Sequence, residues 1–153
     1  MANTYNQLFV HLVYGVKYRE GFILPSFRQQ LYEYTIAIVE KRGHKVYAIG
    51  GMQDHVHILV SMSPTQSVSD LVMEVKRGTS LWINQNRFVI GRFEWQEGYG
   101  AFSYGKSQVD KVINYIRNQE EHHRKKTFRE ECIEFLKLFE VDYDERYVFK
   151  DVT

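Results

Sequence analysis

The segment Asp54-His55-Val56-His57-Ile58-Leu59-Val60 constrains this chain more than any other. Side chains alternate between the faces of a strand, so Val56, Ile58, Val60 and Met62 line one face while His55 and His57 share the other. The first face demands a covering layer. The second is expected to be exposed, where two adjacent imidazoles are a poor core and a good pair of donors to a metal ion.

The remaining chain supplies the frame for that strand. Residues 4–18, centred on Phe9-Val10-His11-Leu12-Val13-Tyr14, are rich in β-branched and aromatic types and read as a strand. Pro25 opens a helix carrying Leu31, Tyr34, Thr35, Ile38 and Val39, with Gly43 as its stop. His44 to Met52 alternates as a second strand in which Gly50-Gly51 permits a bend, and the histidine strand runs from Asp54 to Ser63 before Pro64. Ser67-Val68-Ser69-Asp70 has the spacing of an N-terminal cap for a helix to about Asn86, carrying Leu71, Val72, Val75, Leu81 and Trp82. Phe88 to Tyr104 is expected to hold a fourth strand interrupted by a loop at Gly98-Tyr99-Gly100. Ser107-Gln108-Val109-Asp110 is a second cap-like start, for a helix through Glu120, and Thr127-Phe128-Arg129-Glu130 a third, for a short helix through about Phe139. This order predicts an α+β, ferredoxin-like βαββαβ sandwich with an antiparallel sheet and additional C-terminal helices. With 153 residues, no repeat and no Gly/Ser linker, one catalytic domain over 1–153 is expected, its core over about 5–131 and an acidic tail after it.

Composition narrows the class of function. No apolar run approaches the roughly 18–20 residues that span a bilayer. There is no basic-then-apolar signal pattern at the N-terminus, and Cys132 is the sole cysteine, so a reducing cytoplasm is the expected setting. Net charge is +1, but Lys and Arg outnumber Asp and Glu 16 to 11 through Lys126 and are outnumbered 4 to 8 from Thr127 onward. A basic body with an acidic tail suits a polyanionic ligand.

The helix expected from Ser107 adds the chemistry. At 100° per residue, Val109, Val112, Ile113 and Ile116 form its buried stripe, with Tyr115 roughly 110° from the stripe's centre and Gln119 one turn above it. Two imidazoles and a carboxamide oxygen suit a hydrated octahedral Mn²⁺ or Mg²⁺ that leaves positions for a phosphate oxygen. Such an ion acts as a Lewis acid on a phosphoryl group. Tyr115 would be the nucleophile. Its ordinary pKa of about 10 means that the cation, or a water acting as base, must raise its phenolate fraction. The product is a covalent phosphotyrosine that stores the bond energy for rejoining. No phosphate-cradling Gly-x-x-x-x-Gly-Lys-Ser/Thr loop exists in the chain, and none is needed.

His55-Val56-His57 and Tyr115-Ile116-Arg117-Asn118-Gln119 together resemble the HUH single-tyrosine transposases of small bacterial insertion sequences, the IS200-like transposases. Trp95-Gln96-Glu97-Gly98-Tyr99-Gly100 and Glu121-His122-His123 are similar to the family's connecting segments, and the likeness runs from about Tyr5 to Glu131. The resemblance implies a ferredoxin-like enzyme that nicks and rejoins single-stranded DNA at element ends. Tyr115 would form a 5′-phosphotyrosine and free a 3′-OH, with His55, His57 and Gln119 as metal ligands. It also implies subterminal DNA hairpins as targets, guide sequences that select the cleavage site, and a homodimer whose subunits exchange tyrosine helices.

Other residues carry weaker signals. Lys76, Arg77, Ser80, Arg117, Arg124, Lys125 and Lys126 are candidate phosphate contacts. Tyr99 and Phe102 are placed to stack a base or, twice as readily, to join the core. Asp54 is expected to cap a turn after Gln53 rather than to support His55, and His11 and His44 are expected to be structural. His122 and His123 are weaker metal candidates than His55 and His57. The alternatives are a domesticated relative resembling the REP-associated tyrosine transposases, which act on palindromic repeats, and a non-catalytic nucleic-acid-binding ferredoxin-like module. A small-molecule metalloenzyme would leave Tyr115 and Gln119 unexplained.

Overall fold

The structure is a computed structural model that describes residues 4–18, 21–119 and 126–149. Four strands, β1 (Phe9–Gly15), β2 (Lys45–Met52), β3 (His55–Ser61) and β4 (Gly100–Tyr104), form one antiparallel sheet in the order β2-β3-β1-β4. With α1 (Pro25–Lys41) between β1 and β2 and α2 (Val68–Asn86) between β3 and β4, this is the ferredoxin-like split βαβ arrangement. Helices α3 (Val109–Arg117) and α4 (Phe128–Leu138) follow.

Local chemistry accounts for most boundaries. Pro25 occupies the first turn of α1, where its missing N–H costs nothing, and Gly43 at φ +89° ends the exit from that helix. Ser67 Oγ accepts from Asp70 N at 3.0 Å to cap α2, and Thr127 Oγ1 accepts from Glu130 N at 3.2 Å to cap α4. The cap expected at Ser107 does not form. Lys106–Gln108 is instead a 3₁₀ turn, and Gln108 precedes α3 without a side-chain cap bond. The fourth strand is also shorter than the sequence suggests: only Gly100–Tyr104 pairs continuously with β1, while Trp95 makes an isolated bridge to Val16. Asn84 pins the irregular stretch before it, accepting from Phe93 N at 2.7 Å and donating to Phe93 O at 3.1 Å.

One face of the sheet is an apolar core. Leu12, Tyr14, Val56, Ile58 and Val60 meet Phe27, Leu31 and Val39 of α1 and Leu71, Val75 and Ile83 of α2, all of them buried. Each such aliphatic side chain contributes roughly 1.5–3 kcal/mol by leaving water. Two helix positions differ from expectation: Leu81 faces solvent, and Tyr34 lies partly exposed on Trp82 with the rings stacked at 4.9 Å.

The opposite face, expected to be open, is covered by α3 and α4. His55 and His57 are completely buried, each at 0% exposure. Leu59, Phe9 and Ala48 pack against Val109, Val112 and Ile116 of α3, while Val13 and Phe102 pack against Phe128 and Cys132 of α4. Two glycines permit this close cover. A Cβ at Gly50 would come within 2.5 Å of Ile116 O, and one at Gly15 within 2.6 Å of the Phe128 ring. Bare backbone at Gly15, directly opposite His55 in the ladder, lets Phe128 stack on that imidazole at 4.4 Å and 6°.

Candidate metal and nucleophile site

Three elements converge on the buried polar face. β3 presents His55 and His57, α3 presents Tyr115 with Gln119 just past its C-cap Asn118, and α4 presents Glu131. His57 Nε2 lies 2.9 Å from Glu131 Oε1, and His55 Nε2 lies 3.8 Å from the same oxygen and 2.9 Å from Gln119 Oε1. The other oxygen of Glu131 accepts a short hydrogen bond from the Tyr115 hydroxyl. One carboxylate thus touches both the imidazole pair and the phenol. The Tyr115 ring stands edge-on to His57 with centroids 5.7 Å apart, within a single chain.

The rings are held from behind. Asp54 sits in the turn between β2 and β3, as expected, but its Oδ1 lies 2.6 Å from His55 Nδ1. The strand alternation that points Asp54 away from His55 fails because Asp54 precedes β3. His11 Nε2 lies 2.7 Å from His57 Nδ1, so this histidine belongs to the site's support as well as to the sheet. Burial first, and then the neighbouring His57, hold His11 well below the ordinary imidazole value, with Glu131 opposing. His44 has the structural role expected of it, accepting from Ser63 N and meeting Gln66 Oε1.

These donors fit a divalent cation. His55 faces an oxygen acceptor at each ring nitrogen, yet a neutral imidazole carries one N–H. Gln119 Nε2 donates to Tyr115 O at 3.3 Å, which turns the amide oxygen toward His55. With Asp54 beside Nδ1, His55 turns Nε2 toward the Gln119 and Glu131 oxygens, a donor set of the kind that holds a positive ion. Neighbouring ligands of an octahedral ion with bonds near 2.1 Å stand about 3.0 Å apart, close to the two 2.9 Å separations. The ligand atoms of His55, His57 and Glu131 all lie within 4.8 Å of one another.

Tyr115 is half-buried and beside a carboxylate. Burial is the largest cause, and the Glu131 charge the next, that push its hydroxyl far above the ordinary phenol value. A cavity of about 350 Å³, walled by Tyr104, Phe135 and Leu138, opens onto Tyr115 and Glu131.

The other candidates divide. Lys76 Nζ donates to Gln96 O at 2.8 Å and Gly98 O at 2.5 Å, so its ammonium anchors the loop before β4. Burial lowers Lys76 to about 8, with Glu97 opposing. Ser80 Oγ donates back to Arg77 O in its own helix, and Arg77 itself is exposed. Lys126 pairs with Glu134. Phe102 is core, stacked on Phe135 at 5.2 Å, while Tyr99 is partly exposed. Arg117 is exposed at the end of α3, and Arg124, Lys125, His122 and His123 lie outside the described residues.

Glu131 is a site residue that the sequence motifs do not single out. Its signal is the spacing: Phe128, Glu131, Cys132 and Phe135 fall on one stripe of α4, and a carboxylate on an apolar stripe must find partners inside.

An antiparallel ferredoxin-like sheet thus carries a histidine pair on one strand and a tyrosine on the helix above it. The IS200-like transposase family model matches residues 4–119, and the chain belongs to that family. It is therefore a DNA-cleaving transposase. It is similar to the ISDra2 transposase TnpA of Deinococcus radiodurans, at 25% identity over 118 residues, covering 74% of this chain and 84% of the relative. The transposase of insertion sequence element IS200 from Salmonella typhimurium is 25% identical over 124 residues, covering 78% of this chain and 81% of that one. Among solved structures, a REP-associated tyrosine transposase bound to a REP hairpin shares the fold, with a TM-score of 0.61 at 14% identity over 80% of this chain and 73% of that one. No helix among the described residues is long and apolar enough to cross a membrane.

Proposed function

We propose that this transposase cleaves and rejoins single-stranded DNA at insertion-sequence ends, with Tyr115 as nucleophile beside a divalent cation held by His55, His57 and Gln119, and with Mg²⁺ or Mn²⁺ as the ion. The observation that carries this reading is the single carboxylate of Glu131, hydrogen-bonded to the Tyr115 hydroxyl and to His57 Nε2. It sets the phenol one side chain away from the imidazole pair. The cation would polarise the bound phosphodiester and offset the charge that develops on it.

The chain's own residues do the rest. Tyr115 is held as a neutral phenol, so its proton must leave as the O–P bond forms, and Glu131 is hydrogen-bonded in position to take it. As Tyr115 Oη bonds to phosphorus, the bond from phosphorus to the 3′ oxygen breaks, and that oxygen leaves with its electron pair and takes a proton from water. Rejoining reverses the order: a 3′-OH attacks the phosphotyrosine, and the proton returns to Tyr115. Asp54 and His11 keep the rings of His55 and His57 aimed inward.

Single-stranded DNA with subterminal hairpins is the proposed substrate, which the hairpin-bound neighbour supports by analogy of fold. Tyr115→Phe should abolish covalent attachment to a labelled single-stranded element end while leaving binding within a few-fold. An undiminished adduct in that variant would place the nucleophile elsewhere.

The resemblance also carries a homodimer into the proposal, in which the Tyr115 helix of one subunit would take, at the other subunit's histidine pair, the place it holds within one chain here. Chains bearing Tyr115→Phe and chains bearing His57→Ala, each inactive alone, should regain adduct formation when mixed, on the tyrosine of the His57→Ala chain. A silent mixture beside an active wild type would confine the chemistry to one chain.

A further inference from the structure

A second groove, of about 460 Å³, runs along α1, the end of β2 and the end of α3, and shares Gln119 with the cluster just described. Its charged lining is Arg28 and Arg117, and no acidic side chain lines it among the described residues. The neighbouring cavities differ: Glu131 and Glu134 line the one beside Tyr115, and Glu97 and Asp144 the one beneath the C-terminal segment.

Two donors without partners belong to residues that line the groove. Arg28 gives an Nη to Ile23 O at 3.2 Å, but its Nε has no hydrogen-bond partner among the described residues, and neither does the Tyr32 hydroxyl. Tyr32 is 9% exposed. Burial pushes its phenol up to about 12, the Arg28 charge pulling the other way, so it remains an O–H donor at neutral pH. Buried polar atoms are seldom left without partners unless something outside the chain supplies them.

The unmet need here is all of one kind. Guanidinium groups carry only donors, and a phosphate diester offers only acceptors and a negative charge. A nucleobase edge would call for acceptors in return. We propose that this groove holds a backbone phosphate of single-stranded DNA next to the scissile one, with Arg28 and Arg117 supplying charge and the Tyr32 hydroxyl a hydrogen bond. Gln119, which lines the groove and touches His55, places that phosphate beside the reacting one. The inference rests on the cleavage reading and names how its substrate strand is held.

The test is anisotropy of the full chain with a fluorescein-labelled oligothymidylate of about 20 nucleotides, read across roughly 50–300 mM NaCl. Arg117→Ala and Arg28→Gln should each weaken binding about 3- to 10-fold and reduce the slope of log K against log salt by about 0.7, the single-strand value for one phosphate contact. Tyr32→Phe should weaken binding about 2-fold with the slope unchanged, since no charge is lost. Lys41→Ala, at the far end of α1, should alter neither. Arg117 is exposed at the end of α3, so its variant reads the groove even if Arg28→Gln lowers stability. A reduced slope in either arginine variant supports the phosphate site, and unchanged slopes in both overturn it. Should the wild-type chain bind no oligothymidylate, a hairpin-bearing single strand replaces it in the same comparison, and a chain that binds neither overturns the cleavage reading beneath it.

Discussion

The two faces of the sheet are equally dry and chemically opposite. Along β3, Val56, Ile58 and Val60 face α1 and α2 at 1% exposure or less, while His55, His57 and Leu59 face α3 and α4 at 0%. Burial alone therefore says nothing about which face does chemistry. The difference lies in what each cover contributes. Helices α1 and α2, interleaved with the strands, bring an apolar lining and a dry core. Helices α3 and α4, added after β4, bring a carboxylate into hydrogen-bond contact with a buried imidazole and a phenol that donates to the same carboxylate. A buried charge is tolerated only when paired, so the second face is under more geometric constraint than the first.

The largest expected effect contrasts adjacent residues of one strand. His57→Ala should lower metal-dependent adduct formation at least a thousandfold, a barrier increase of about 4 kcal/mol. Excess chelator should do the same to the wild type, with activity restored by added Mn²⁺. Ile58→Ala, pointing to the other face, should cost about 2–5 kcal/mol of stability by leaving a cavity while its folded fraction stays active within a few-fold. Denaturant melts paired with single-turnover cleavage separate the two. Comparable activity losses per folded molecule would mean that the faces are not functionally distinct.

Glu131→Gln comes next. The amide keeps the size of the side chain but loses the charge that meets His57 and Tyr115. A fall of about 10- to 100-fold in cleavage is expected, together with weaker Mn²⁺ binding by titration calorimetry, as is usual when a group bound to a metal site is neutralised. Wild-type rates in that variant would reduce Glu131 to a packing residue.

This residue also marks where sequence reasoning stopped. The βαββαβ order, the capping serine of α2 and threonine of α4, and the facing of Val56 and Ile58 follow from local rules of period and capping, and they stand. So does the approach of Gln119 to His55, although α3 ends at Arg117 and it is the Gln119 amide bond to Tyr115 O that turns its oxygen inward. The burial of His55 and His57 was not legible, because nothing local to β3 says that helices from Val109 onward will roof it. Glu131 was hidden for the same reason: it reads as one of the acidic residues in a tail until α4 docks. Before the short β4, the Asn84 side chain hydrogen-bonds both backbone groups of Phe93, where the sequence pattern alone reads as strand.

The smallest expected effect compares two caps of the same kind. Ser67 caps α2, on the apolar face, and Thr127 caps α4, on the polar one, each accepting from the backbone N–H three residues on. Replacing either with Ala should cost about 1 kcal/mol in a denaturant melt, since each leaves one helix-end donor unsatisfied. Their consequences for chemistry should differ. Glu131 lies one turn inside the α4 start, so fraying there loosens the carboxylate that holds the Tyr115 hydroxyl. Thr127→Ala should therefore slow adduct formation several-fold, whereas Ser67→Ala should leave it unchanged at matched folded fraction. Equal rates in the two variants would show that α4 covers the site without helping to hold its reacting groups in place.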